Sequence, residues 1–260
     1  MADPSSPLHT PPGGTSGEWR VWVRSLFTYA WVLAATICLG LATLAVSVFS
    51  RQGHVGHCVG RAWARSILAA SGIGVAVAGL ERLEPGRAYV FMANHQSNFD
   101  IPVLLGRLPV QFRWLAKAEL FKIPLFGRAM RAAGYISIDR TDRSAAFQSL
   151  SEAAEVLRRG VSVMIFPEGT RSLDGKLRPF KKGGFMMAIH AGAPIVPVRI
   201  RGTYAIMPKG ARLVRPQAVR VEIGDPIDTA GHTPESKEAL MERMRAALLA
   251  GAAGPAAGEA

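Results

Sequence analysis

This sequence predicts an α/β domain: a central sheet of mostly seven strands flanked by helices, preceded by N-terminal membrane helices. Three observations carry that expectation. After about residue 70, short β-branched runs alternate with helical ones. From Leu26 to Phe49 no residue is charged. Polar clusters beginning at Asn94 and Pro167 each follow an apolar run directly, and functional groups in α/β sheets collect just beyond strand ends.

Composition bounds the alternatives. The 260 residues suffice for one large domain or two small ones, and 49% hydrophobic with 19% charged content excludes a coiled coil, a collagen-like fibre and a wholly disordered chain. Only two cysteines occur, which excludes a disulfide scaffold and a Cys-rich zinc module. Lys and Arg total 31 against 19 Asp and Glu, a net charge of +12 that calls for an anionic partner. Nucleic acid, an acidic membrane surface and a phosphorylated substrate all satisfy that requirement.

Taken in order, residues 1–17 are rich in Pro, Ser, Gly and Thr and read as a disordered tail. Residues 18–71 form the membrane part. The uncharged run has the roughly 18 or more residues that a membrane-crossing helix needs. Arg20 and Arg24 precede it and Arg51 follows; Trp19, Trp22, Tyr29 and Trp31 gather near its start as interface anchors. A signal peptide fits poorly, because the run is long and no small-residue cleavage site follows. His54 to Ala70 reads as an interfacial amphipathic helix, with Arg61 and Arg65 on one face within reach of phosphate headgroups. The two segments make either a span or a hairpin dipping into one leaflet. Arg51, Arg61 and Arg65 put the remaining chain on the cytoplasmic side of the inner membrane.

Residues 72–230 form the α/β domain. Its predicted strands are Ile73–Ala78, Ala88–Ala93, Phe112–Leu115, Tyr135–Ile138, Val161–Phe166, Ile195–Ile200 and Val219–Ile223. Arg143–Arg159 reads as a helix with Ala146, Leu150, Ala153, Ala154 and Leu157 on one face, and Gly183–His190 as another. Residues 231–260 hold a last helix, with Thr233 as N-cap, Pro234 at its first position and an end near Leu249 before Gly251. An Ala/Gly-rich loose tail closes the chain.

His95 stands out among the six histidines. It lies in Asn94-His95-Gln96-Ser97-Asn98-Phe99-Asp100, after a predicted strand. Five residues apart on one regular helix, His95 and Asp100 do not face each other. In a turn that enters a helix near Asp100, the carboxylate folds back onto the imidazole, fixes the tautomer and frees Nε2 as a general base. The plain alternative is a loop histidine with Asp100 as a helix cap. The second cluster, Pro167-Glu168-Gly169-Thr170-Arg171-Ser172, brings backbone N–H groups, a hydroxyl and a guanidinium to another strand end, a set that suits a phosphate. Arg140, in Gly134-Tyr135-Ile136-Ser137-Ile138-Asp139-Arg140, sits at a third, and Lys181 and Lys182 add further charge.

Other readings fall away. Val77 occupies the third glycine position of a dinucleotide loop that would begin at Gly72, and Leu177 replaces the hydroxyl of a Walker loop at Gly169–Lys176. The histidines lack zinc-ligand spacing, so no metal is expected. Scattered basic residues without interleaved aromatics argue against nucleic acid.

Together the segments resemble the lysophospholipid/glycerophosphate acyltransferase family over about residues 73–225. Asn94-His95-x4-Asp100 is similar to its catalytic motif, and Phe166-Pro-Glu-Gly-Thr-Arg171 to its substrate-binding motif. Gly134-x3-Ile138-x-Arg140 resembles the motif between them, with Ser137 where the family usually has Phe. Ile195-Val196-Pro197-Val198 fits the apolar fourth motif, and Lys117 looks like a family position near the headgroup.

The resemblance implies transfer of an acyl group from acyl-coenzyme A or acyl carrier protein, as co-substrate and without a cofactor, to the 2-hydroxyl of lysophosphatidic acid. It implies His95 as base and Asp100 as its partner, with no covalent acyl-enzyme. Arg171, Arg140 and Lys117 would hold the phosphate with the Glu168-Gly169-Thr170 turn, Glu168 orienting an arginine or the glycerol hydroxyl. An acyltransferase for another lysolipid, such as lyso-ornithine lipid, and a non-catalytic lipid-binding module are the competing expectations. Oligomeric state is not legible.

Overall fold

The computed structural model describes residues 18–48 and 53–250. The expected tails, Phe49 and Arg51 at the end of the apolar run, and Gly251 lie outside the described residues. Two long helices open the chain, α1 (Glu18–Ser47) and α2 (His54–Ala70). The domain follows as β1 (Val75–Ala78), β2 (Val90–Ala93), α3 (Asp100–Arg107), β3 (Phe112–Lys117), α4 (Phe126–Ala132), β4 (Ile136–Ile138) and α5 (Arg143–Arg158). Then come β5 (Ser162–Ile165), α6 (Gly183–Ala191), β6 (Ile195–Arg201), α7 (Thr203–Ile206), β7 (Val219–Ile223) and α8 (Lys237–Ala250).

All seven strands form where the β-branched runs predict them, within two residues at each end. They make one sheet in the order β1-β7-β6-β2-β5-β3-β4, with every pairing parallel except β6 with β7. The central strands read as unbroken apolar runs because helices cover both faces. On one face, Phe91 and Val198 of the sheet pack with Leu68 of α2 and Val103 of α3. On the other, Val90 and Ile195 pack with Ala154 of α5, Phe185 of α6 and Met244 of α8.

Two expectations need correction. The last helix starts at Lys237, not at Thr233: the Ser236 N–H donates to the Thr233 carbonyl at 3.0 Å, closing a turn in which Pro234 sits outside the helix. The short helices α4 and α7 escaped the sequence reading because four to seven residues span too few turns to show a 3.6-residue period, whereas α3 begins at Asp100, where the sequence places a helix start.

α1 and α2 run antiparallel. Trp31 Nε1 donates to Ser66 Oγ at 3.2 Å and Trp63 Nε1 to Thr36 Oγ1 at 3.0 Å. Gly56 completes the register opposite Thr43, and a Cβ there would lie 3.0 Å from Ala133 Cα, so a side chain would press α2 against the end of α4. α1 also touches the domain along its length. Near its start, Ser25 Oγ accepts from Val214 N at 2.9 Å and Tyr29 donates to the Arg212 carbonyl at 2.7 Å. Near its end, Gly40 meets the Leu125 side chain. The hairpin therefore lies against the domain, held further by Arg65 Nε, which donates to the Gly106 carbonyl at 2.9 Å.

Candidate active site

The site gathers at the carboxyl ends of β2, β5, β3 and β4, where two loops are stitched together by backbone bonds. The His95 N–H donates to Glu168 Oε1 at 2.7 Å, and the His95 carbonyl accepts from Ser172 N at 2.8 Å. The second Glu168 oxygen accepts from Arg178 N at 2.8 Å. Glu168 thus behaves differently from the expectation. Its carboxylate is buried, is spent on two backbone donors, makes no ion pair among the described residues, and does not line the cavity that His95 lines. Burial pushes this carboxyl above its usual range, and the two N–H donors pull it back.

Asp100 opens α3, so the loop from His95 to Asp100 is the turn into a helix that brings the two side chains together. Asp100 Oδ2 lies 2.8 Å from His95 Nδ1 and accepts the N–H groups of Gln96 at 2.7 Å and Ser97 at 2.8 Å. Three donors on one oxygen of a fully buried carboxylate fix its position. With the Nδ1 proton directed at Asp100, Nε2 is left as the free, basic nitrogen. The imidazole stacks on Phe166, centroids 3.8 Å apart and planes 9° from parallel, and Phe166 in turn stacks on Trp114. Ser97 is no nucleophile, since its buried hydroxyl donates to the Met207 carbonyl at 2.8 Å.

His95 borders a cavity of about 630 Å³. Its lining brings together Arg140, Arg171, Lys117, Gly169 and Thr170, all candidates from the sequence, with Lys209. Lys209 Nζ donates to Thr170 Oγ1 at 3.3 Å; it went unread because it lies in a loop between α7 and β7 far from any motif. Arg140 donates to the Gly169 carbonyl, which that residue presents from a left-handed conformation at φ 74°. Lys117 pairs with Glu119 at 2.9 Å, whereas Arg171 has no hydrogen bond or ion pair among the described residues. Beyond this basic mouth the cavity turns apolar between the hairpin and α4, bounded by Leu39, Val59, Trp63, Phe126, Ala129 and Met130. An imidazole held by a carboxylate thus stands where a cationic surface meets an apolar channel.

Comparison with known proteins identifies the family. The acyltransferase family model matches residues 74–201. A chloroplastic 1-acyl-sn-glycerol-3-phosphate acyltransferase of Brassica napus is 39% identical over 181 residues, 69% of this chain and 52% of its own. The human 1-acyl-sn-glycerol-3-phosphate acyltransferase alpha is 36% identical over 68% of this chain and 63% of its own, and that of Cocos nucifera 34% over 75% and 68%. The chain thus spans about half to two thirds of these relatives' lengths. The crystal structure of the 1-acyl-sn-glycerophosphate (LPA) acyltransferase PlsC from Thermotoga maritima superposes with a TM-score of 0.76 at 30% identity, covering 92% of this chain and 99% of that one. Fold, motif order and sequence identity converge: this chain belongs to the acyltransferase family that these 1-acyl-sn-glycerol-3-phosphate acyltransferases represent.

Proposed function

We propose that the protein moves a fatty acyl group from a thioester, acyl-coenzyme A or acyl carrier protein, to the 2-hydroxyl of 1-acylglycerol-3-phosphate, giving phosphatidic acid. The observation that carries this reading is the free Nε2 of His95, oriented through Nδ1 by Asp100, at the junction of a basic mouth and an apolar channel. A lysophosphatidic acid has the matching parts: a phosphate, a hydroxyl a few atoms away, and a hydrocarbon chain.

The reaction follows from those parts. Nε2 takes the proton of the acceptor hydroxyl as its oxygen attacks the thioester carbonyl carbon. Asp100 stabilises the imidazolium so formed. The tetrahedral intermediate collapses with cleavage of the carbon–sulfur bond, and the imidazolium returns its proton to the departing thiolate. Arg171, Arg140, Lys117 and Lys209 hold the acceptor phosphate, with Arg171 free to bind it bidentately. The Gly169-Thr170 turn shapes that mouth. Glu168 holds the His95 loop instead of touching substrate.

The reading also assigns the hairpin a task. Trp19, Trp22, Val23, Leu26, Phe27, Leu33 and Leu41 are each more than half exposed on α1. Water does not tolerate so large an apolar patch without a partner. Because α1 meets the domain near both its ends, it lies in one leaflet of the inner membrane and does not carry the domain away from it. The site then faces the cytoplasm at headgroup level, where lipid acceptor and soluble donor meet.

Thiol release from acyl-coenzyme A and acyl carrier protein, with lysophosphatidic acid, lyso-ornithine lipid and lysophosphatidylcholine offered in parallel, tests the proposal. Wild type is expected to use lysophosphatidic acid, and His95→Ala to lose at least about 10²-fold in turnover while remaining folded. Arg171→Ala is expected to raise KM for the lysolipid and leave KM for the thioester alone. Activity confined to an acceptor without phosphate would reassign the substrate, and full activity of His95→Ala would refute the mechanism.

A further inference from the structure

The two loops that build the site have a second side. They present His95, Gly169, Thr170 and Arg171 to the cavity described above, and Asn94, Gln96 and Glu168 to another of about 580 Å³. The two cavities share no wall residue among the described ones. The second is ringed by Arg199 and Arg201 from the end of β6, Arg245 from α8 and Lys176 from the loop after β5. The carboxylate in its wall, Glu168, is already occupied by two backbone N–H donors. Glu222 lies behind Arg201 at 3.7 Å but is shared with Arg220 at 2.9 Å, so it does not balance four cations. Arg245 makes no hydrogen bond or ion pair among the described residues.

Like charges gathered in one concave wall repel, and an anion that enters relieves that repulsion while gaining charge-assisted hydrogen bonds. Burial and the neighbouring Arg201 both push the Arg199 guanidinium down from its ordinary value, the direction that an anionic neighbour would reverse. The position of the cavity narrows the anion. It opens beside α8, on the sheet face opposite α2 and α3 and away from the exposed apolar residues of α1. A ligand there arrives from water and not from the bilayer.

We infer that this basic cavity holds the phosphate groups of the acyl donor, on the other side of the catalytic loop from the acceptor phosphate. The inference rests on the acyl-transfer reading above. The shared chemistry is the phosphorylated pantetheine arm, which reaches the enzyme either as coenzyme A with its diphosphate or through the phosphodiester of an acyl carrier protein. A transfer between two anionic substrates then has an anion site on each side of the loop that carries His95.

Equilibrium binding separates this from the acyl-transfer reading. Unacylated coenzyme A, inorganic pyrophosphate and lysophosphatidic acid are titrated separately into the full chain in detergent, as wild type and as Arg245→Gln. Since Arg245 has no partner to lose, the variant is expected to fold, and thermal unfolding checks that. Loss of one guanidinium should weaken coenzyme A and pyrophosphate about tenfold, and leave lysophosphatidic acid within about twofold.

In steady state, KM for acyl-coenzyme A should rise correspondingly. A parallel rise for acyl carrier protein would assign the phosphodiester as the shared handle, and a rise for coenzyme A alone the diphosphate. Unchanged coenzyme A binding in Arg245→Gln and in Arg199→Gln, or equal weakening of donor and lysolipid, would overturn the inference. Coenzyme A binding that depends on Arg245 in a protein without acyl transfer would uphold the donor site and refute the activity.

Discussion

His95 is held by four neighbours that act in three ways. Asp100 fixes the Nδ1 proton, Phe166 fixes the ring plane, and Glu168 with Ser172 fixes the backbone at both ends of the residue. Glu168 is a positioning residue, and its replacement separates that role from substrate binding. Glu168→Gln keeps an oxygen for one backbone N–H and turns an N–H2 toward the other, where a donor meets a donor. The His95 loop should shift, lowering kcat by about tenfold or more through misplacement of the base, with little change in KM for the lysolipid. A rise in that KM at constant kcat would instead place Glu168 on the substrate. The motif Phe166-Pro-Glu-Gly-Thr-Arg171 was fully legible in the sequence. That its glutamate points inward and its arginine outward was not, because a turn's pattern gives residue types and not the side on which each lands.

At the scale of the element, the hairpin divides its residues between two solvents. Ser25, Thr28, Ala35, Gly40 and Thr43 are buried on α1, and large apolar side chains face outward. This inverts the usual order, with small and hydroxylic residues inside, and it follows from close helix packing beside an apolar medium. The triple variant Trp22→Ser, Leu26→Ser, Phe27→Ser removes contacts to that medium and none to the domain. Each lost side chain is worth roughly 1.5–3 kcal/mol of burial, so sedimentation with anionic liposomes should drop sharply while thermal unfolding in detergent stays put. Undiminished sedimentation would mean that the outward face of α1 is not the membrane contact. The presence of both helices and the bounds of α2 were readable from the uncharged run and the spacing of Arg61 and Arg65, although α1 begins at Glu18, ahead of the uncharged run. Their mutual register was not, since it depends on Trp31 meeting Ser66 and Trp63 meeting Thr36 across the hairpin.

For the molecule as a whole, α2 carries a further constraint into the core. His57 is fully buried between Phe112 and Tyr135, with the Tyr135 hydroxyl 3.2 Å from its Nδ1. Desolvation, with Arg113 and Arg61 nearby, lowers its pKa from 6.5 to about 3. The folded state therefore keeps His57 neutral over a range in which the unfolded chain protonates it. Its contribution to stability is complete above about pH 6.5 and is lost progressively as pH falls toward about 3, with a slope of at most about 1.4 kcal/mol per pH unit. Unfolding followed by near-ultraviolet circular dichroism should accordingly shift to lower denaturant on acidification. His57→Phe should flatten that dependence, even though loss of the Tyr135 contact lowers stability at every pH. An unchanged slope in the variant would show that other groups govern acid unfolding. Because α2 is clamped between α1 and α3, its loosening would also open the apolar channel.

The sequence by itself determined the strands, the apolar helices and the order of the motifs. Those depend on local pattern: β-branched runs, an uncharged stretch, and polar turns directly after strands. Tertiary structure alone decided that the turn after β2 and the turn after β5 become one site, because β2 and β5 are neighbours in the sheet though some 70 residues apart in the chain. It also decided that α1 lies along the domain, that Lys209 joins the mouth of the cavity, and that Arg199, Arg201, Arg245 and Lys176 meet behind the His95 loop. The physical reason is the same in each case. Periodicity and propensity act between residues a few positions apart, whereas strand order, helix register and the convergence of charges are set by packing between segments whose separation in sequence carries no signal of their contact.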